Sequence, residues 1–203
     1  MHIPKVKKMN REEREPISDD VKRASDIVKR GGVILYPTDT VWGIGCDARR
    51  PEAVKRVFEI KRRADSKALI ILVNNIEQLN RYVDEVPEVA LQIIELATKP
   101  TTIIYDRGIN LAPEVIAENG SVAVRVTNEK ISGQIIGLSR CPLVSTSANI
   151  SGMPAPACFS EISQEIIDAV DYVVESRREE KTNAKPSSII RIGNDLSFKI
   201  IRE

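Results

Sequence analysis

Short runs of aliphatic and β-branched residues recur along this chain, and amphipathic helical stretches fall between them without a strict one-strand, one-helix alternation. That rhythm restricts the fold more than any other feature. Strict alternation would give a doubly wound, all-parallel sheet, whereas an irregular one requires some neighbouring strands to run antiparallel. The strand-like runs are 33–36, 68–73, 101–105, 121–126, 142–146, 172–174, 188–192 and 196–202. Between them the apolar spacing predicts helices over 76–83, 88–98 and 129–138, one starting at Pro51, and one capped by Ser160 and running to Val170. The expected fold class is α/β, a twisted mixed parallel and antiparallel sheet flanked by helices.

The first helix has clear ends. Ser18 is the N-cap candidate, Asp19 and Asp20 suit the positive end of the helix, and Gly31-Gly32 stops it. Val21, Ala24, Ile27 and Val28 form its apolar stripe. Gly193-Asn194-Asp195 reads as the turn of a hairpin joining the last two strands. Residues 1–16 are polar, of mixed charge, and end at Pro16, so they are expected to be a flexible arm, with a single domain over 17–203. The polar stretch 175–186 is the expected mobile loop.

Composition excludes several functions. Thirty basic and 29 acidic residues give a net charge of +1, so any basic surface must come from arrangement. Aromatic residues are only 4%, too few for a platform that stacks several bases. Cys46, Cys141 and Cys158 form no C-x-x-C pair, and the single histidine is His2, so neither a Cys/His zinc cluster nor a Ser-His-Asp triad is expected. No apolar run nears the about 18 residues of a membrane span, and no secretory leader pattern is visible, so the expectation is cytoplasmic with no membrane partner.

Several segments carry polar groups suited to binding. Pro37-Thr38-Asp39-Thr40-Val41-Trp42-Gly43-Ile44-Gly45 follows a strand, and its hydroxyls, carboxylate and glycines suit either a polar pocket or a self-bonded turn. Trp42 is expected in the core. From Arg49 to Lys67 there are eight basic and three acidic residues. Lys61, Arg63 and Lys67 lie at or beyond a helix end, where they are either solvated caps or an oxyanion clamp. Ser145 to Gly152 holds four hydroxyls and an amide after a strand. No Walker A loop or G-x-S-x-G elbow occurs. Arg125 alternates with valines in its strand, so it is either a surface residue or a carboxylate partner inside a pocket.

Taken together, these segments resemble the YrdC-like family of L-threonylcarbamoyl-adenylate synthases. The matching pieces are Tyr36 to Gly45, Lys61-x-Arg63 with Lys67, Ser121-Val122-Ala123-Val124-Arg125, Ser145-Thr146-Ser147-Ala148-Asn149 and Pro186-Ser187-Ser188, in order over about residues 18–202. The resemblance implies a concave basic cavity and the reaction of L-threonine, bicarbonate and ATP to threonylcarbamoyl-AMP and pyrophosphate, used for the t6A modification of tRNA. It implies that Thr40, Arg125, Ser145 and Ser187 contact L-threonine or its carbamate. Lys61, Arg63, Lys67, Ser121, Ser147, Asn149 and Arg202 would surround ATP, with Lys61 and Arg63 as the catalytic cations. Mg2+ is expected with ATP, and no protein-held metal site is expected. The implied partners are tRNA-modifying proteins that accept the adenylate, and tRNA or double-stranded RNA. On this basis alanine at Lys61 or Arg63 is expected to remove most activity and leave the fold intact.

The chain departs from the family pattern at Trp42, at Thr98-Lys99-Pro100-Thr101-Thr102, at Ala155 and at Ser188. Thr101 and Thr102 are expected to preserve part of the altered segment's role. Two other readings share the implied fold. A non-catalytic RNA-binding module would need the charges but not the small hydroxyl cluster. A carbamoyl-adenylate domain of the hydrogenase-maturation type normally belongs to a longer, multidomain chain.

Overall fold

A computed structural model describes residues 16–63, 69–180, 186–195 and 197–203. The expected arm therefore lies outside the described residues but for Pro16, as do Lys67 and positions 181–185 of the 175–186 loop. In chain order the elements are α1 (Asp19–Lys29), β1 (Ile34–Tyr36), β2 (Gly43–Gly45), α2 (Pro51–Ile60), β3 (Ile70–Val73), α3 (Ile76–Leu79), α4 (Glu88–Leu96), β4 (Thr101–Tyr105), β5 (Val122–Val126), α5 (Lys130–Ser139), β6 (Leu143–Ser147), α6 (Gln164–Ala169), β7 (Tyr172–Val173), β8 (Ser188–Ile192) and β9 (Phe198–Arg202). The strands form one nine-stranded sheet in the order β7-β1-β2-β6-β3-β5-β4-β8-β9. Pairs β1/β7, β3/β5 and β4/β8 are parallel, and the other five are antiparallel. The mixed sheet expected from the sequence is the one observed.

Period-2 alternation sorts the strand residues onto two apolar layers. Leu35, Ile44, Ile71, Val73, Val124 and Val144 pack with Ala53, Val54 and Val57 of α2, Ala90 of α4 and Ile166 of α6. Ile34, Tyr36, Leu72 and Leu143 pack with Val21, Ala24 and Val28 of α1 and Ile131, Ile135 and Ile136 of α5. Trp42 is in the first layer, 5% exposed, with its ring 4.9 Å from that of Phe159. Ser18 caps α1, accepting from the Val21 N–H at 3.3 Å, and Gly31 follows the helix at φ +87°.

Three local expectations need correction. The helix expected over 76–83 is the single turn α3, capped by Asn75. Ser160 does not cap a helix, because it lies in a 3-10 turn over Phe159–Glu161, and α6 begins after Ser163. The segment through Gly43-Ile44-Gly45 is not only a turn, since β2 pairs with β1 on one side and β6 on the other. Two glycines in three residues give no intrinsic strand signal. They serve close approach instead: a Cβ on Gly45 would sit 2.3 Å from the Val144 carbonyl oxygen and 2.7 Å from Tyr36 Cε1. Gly45→Ala is therefore expected to cost about 3 kcal/mol or more by overpacking, read as a lowered urea midpoint with an unchanged m-value.

Candidate functional site

Arg125, Ser145 and Ser147 project from the sheet face opposite Val124 and Val144, the face that α1 and α5 cover at Tyr36, Leu72 and Leu143. Further along β6 a cavity of about 380 Å³ opens. Thr40, Arg63, Arg125, Ser145, Ser147, Asn149, Ser187 and Arg202 all line it. Eight of the eleven residues named from the sequence thus converge from four places: the β1–β2 loop, the end of α2, strands β5 and β6 on either side of β3, and the β8–β9 edge.

The loop after β1 is held by its own side chains. The Thr38 hydroxyl donates to the Val41 carbonyl at 2.7 Å and accepts the Thr40 N–H at 3.0 Å. It also lies 2.9 Å from the Thr40 hydroxyl. A hydroxyl has one proton to give, so Thr40 donates to Thr38 and keeps its lone pairs for a ligand.

The turn after α2 aims Arg63. The Arg62 N–H bonds the Glu59 carbonyl and the Arg63 N–H bonds the Phe58 carbonyl, both at 2.9 Å, while Arg62 takes φ +50°. This is a Schellman ending with a non-glycine residue in the left-handed position. It sends Arg62 outward to pair with Glu165 and Arg63 inward to the cavity.

Lys61 is not among the cavity-lining residues; it lies beneath them, 3% exposed. Its ammonium donates to the carbonyls of Ser147 at 2.5 Å and Asn149 at 2.7 Å, and its own carbonyl accepts the Ser151 N–H at 2.9 Å. Lys61 thus fastens the loop that presents Ser147 and Asn149. Burial, then the Arg63 charge, lowers its pKa to about 8. Asn149 donates from Nδ2 to the carbonyls of Ile150 and Met153, leaving the buried Oδ1 without a partner among the described residues.

Arg125 is 3% exposed, and its Nη2 lies 2.8 Å from Asp39 Oδ1. Burial pulls the guanidinium pKa down, and burial pushes the Asp39 carboxyl up. At the far side, Arg202 Nε donates to the Ser187 carbonyl at 2.9 Å, and the Ser187 hydroxyl lies 2.9 Å from that of Thr102. Thr102 therefore supports Ser187, whereas Thr101 bonds the Lys99 carbonyl. Ala155 lines the cavity without a hydroxyl. Ser121 immediately precedes β5, donates to Asn119 Oδ1 at 2.7 Å, and is not among the lining residues.

Most of the basic stretch is used in ion pairs. Arg49 grips Asp47 through two nitrogens, Lys55 meets Glu52, Arg56 meets Asp171, and Arg62 meets Glu165. Of its described members only Arg63 lines the cavity. Among the described residues no group of three His, Cys, Asp or Glu side chains could hold a metal, and no helix is long and apolar enough to cross a membrane.

The mixed α/β sheet thus carries a cavity lined by hydroxyls, an amide and three arginines, groups whose chemistry can bind an anion. Comparison with known proteins gives its family. The Sua5/YciO/YrdC family model, described as "Telomere recombination", matches residues 26–203, and the chain belongs to that family. It is 36% identical to the threonylcarbamoyl-AMP synthase of Pseudomonas aeruginosa over 74% of this chain and 82% of that protein. It is 32% identical to the same enzyme of Vibrio parahaemolyticus over 84% of this chain and 93% of that one. P. abyssi Sua5 complexed with L-threonine superposes with a TM-score of 0.75 at 30% identity, covering 84% of this chain and 50% of that chain. The chain thus spans half the length of that Sua5 structure.

Proposed function

We propose that this protein is an L-threonylcarbamoyl-AMP synthase. The observation that carries the reading is Arg125. It is buried in the wall of the cavity, and although Asp39 Oδ1 lies 2.8 Å from its Nη2, neither Nε nor Nη2 has a hydrogen-bond partner among the described residues. A buried guanidinium with unsatisfied donors is costly unless an anion completes it, and Thr40, Ser145 and Ser187 add hydroxyls around it. A carboxylate flanked by hydroxyl-binding groups describes L-threonine. The threonine bound in the related Sua5 structure agrees with this.

In this reading the L-threonine carboxylate binds Arg125. Its amine combines with bicarbonate, releasing water, to form a carbamate. A carbamate oxygen attacks the α-phosphorus of ATP, the bond to the bridging oxygen breaks, and pyrophosphate leaves. No protein nucleophile is needed. The chain's task is to hold two anions in line and to stabilise charge on the phosphate. Arg63 and Arg202 supply positive charge, Ser147 and Asn149 supply hydrogen bonds, and Lys61 positions the last two. Ser121 and Lys67 remain proposed ATP contacts. Mg2+ would enter as part of the ATP substrate, since no described cluster would hold it alone. The transfer of AMP makes this a nucleotidyl transfer, with an unstable adenylate passed to tRNA-modifying proteins.

The ion pairs of Arg49, Lys55, Arg56 and Arg62 weigh against a non-catalytic RNA module, because phosphate-backbone binding draws on uncommitted surface cations. The test is labelled bicarbonate. Label should enter a product that also carries AMP, only when L-threonine is present. Label entering without threonine, or never entering with folded protein, contradicts the reading.

A further inference from the structure

Arg125 and Asp39 form an incomplete pair. Their charged atoms lie 2.8 Å apart, with 3% and 18% of the respective side chains exposed. Yet Arg125 Nε and Nη2 and Asp39 Oδ1 have no hydrogen-bond partner among the described residues. The contact is Coulombic and lacks hydrogen-bond direction. Elsewhere in this chain Arg49 meets Asp47 with two directed bonds of 2.9 and 2.8 Å. Asp39 is not free to adjust in the same way. The Thr38 hydroxyl bonds hold its loop from inside, and Arg177 donates to the Thr38 carbonyl at 3.1 Å.

The two groups face different spaces. Arg125 lines the cavity with Ser145 and Ser147, and Asp39 lines an adjoining cavity of about 330 Å³ with Asn128 and Glu129. The pair is the wall between them. A ligand that completes this wall needs an acceptor for the guanidinium and, within a bond or two, a donor for the carboxylate. An α-amino acid has both on one carbon.

We propose that Asp39 reads the amino group of the substrate and makes the site selective for a zwitterionic amino acid over a plain carboxylic acid. The proposal rests on the threonine reading above and adds a residue to it. Asp39 offsets much of the Arg125 charge, so a lone carboxylate gains little at the pair. A ligand that brings its own ammonium leaves both protein charges satisfied. Removing the aspartate charge should therefore weaken threonine and strengthen its analogue without the amine.

The experiment measures binding of L-threonine and of 3-hydroxybutanoate, which is threonine without its amino group, by titration calorimetry. Wild type should prefer threonine by about 30-fold or more, the scale of one lost charge-assisted hydrogen bond, and Asp39→Asn should shrink that ratio below about 3-fold. In pyrophosphate assays the same variant should raise KM for threonine and leave KM for ATP unchanged. A wild-type ratio that survives in folded Asp39→Asn overturns the proposal alone. Wild-type protein that binds neither ligand overturns the threonine reading and this proposal with it. Asp39→Glu provides a second check if the asparagine variant does not fold, because it keeps the charge and should keep the preference for threonine. Loss of the preference there counts against the proposal.

Discussion

Arg125→Ala should abolish threonine-dependent pyrophosphate release, lowering kcat/KM for L-threonine by about 10²- to 10³-fold, the usual loss when one buried charge contact to a reacting anion is removed. The size follows from the surroundings of the side chain. Arg125 is one of three arginines lining the cavity, and at 3% exposed it has little water to replace its contribution. The fold should survive. Removing the arginine takes away the charge that opposes the effect of burial on Asp39, so the carboxyl can take a proton and relieve the deficit. Arg125→Lys should recover little, because a point charge on a flexible stem does not reproduce the planar fork. Steady-state kinetics with threonine and ATP varied separately checks this, and KM for ATP should move least.

Lys61→Met should have the second largest effect, by a different route. The ammonium holds the Ser147 and Asn149 carbonyls, and the methionine chain fills the same space without donors. Each lost charge-assisted bond is worth about 1.5–3 kcal/mol, so both ATP affinity and stability should fall. The geometry revises the expectation that a change at Lys61 leaves the fold untouched. A pH signature separates this role from bulk effects. The folded pKa of about 8 lies below the ordinary 10.5, so between these values the unfolded chain holds the extra proton. By linkage this group's contribution to stability then rises as pH climbs from about 8 to 10.5. Over the same range the ammonium is lost and the loop loosens. ATP affinity of wild type should therefore weaken above about pH 8 while stability does not follow it down, and Lys61→Met should show no such limb. Calorimetry of ATP binding from pH 7 to 9.5, with thermal unfolding alongside, measures both.

The strands were legible where the chain spells them in β-branched residues. Ile70–Val73, Thr101–Tyr105, Val122–Val126 and Ser188–Ile192 fall inside the runs read from the sequence. β2 was not legible, because Gly43-Ile44-Gly45 becomes a strand only when β1 and β6 flank it. α6 shows the weakness of hydroxyl caps as signals: Ser160 lies inside a 3-10 turn, and Ser163 precedes the helix without a side-chain cap bond. At the site, the motifs supplied the residue types, and the structure brings eight of eleven to one cavity. What a single sequence could not give is which charges are already engaged. Arg56 finds Asp171 across 115 positions, and Lys61 finds Ser147 across 86. Such distant pairs leave no local pattern, so a stretch that reads as a basic clamp is mostly structural. Asp39 was visible as a carboxylate in the first motif, but its contact with Arg125 depends on the fold.

The central claim is that this cavity joins threonine, bicarbonate and ATP, and the most direct measurement is pyrophosphate release from ATP by the purified full chain, with each co-substrate omitted in turn. Serine and carbamoyl phosphate serve as controls. The account predicts release that requires L-threonine and bicarbonate together and collapses in Arg125→Ala. Release that is independent of threonine, release driven by carbamoyl phosphate alone, or no release from folded protein would contradict it.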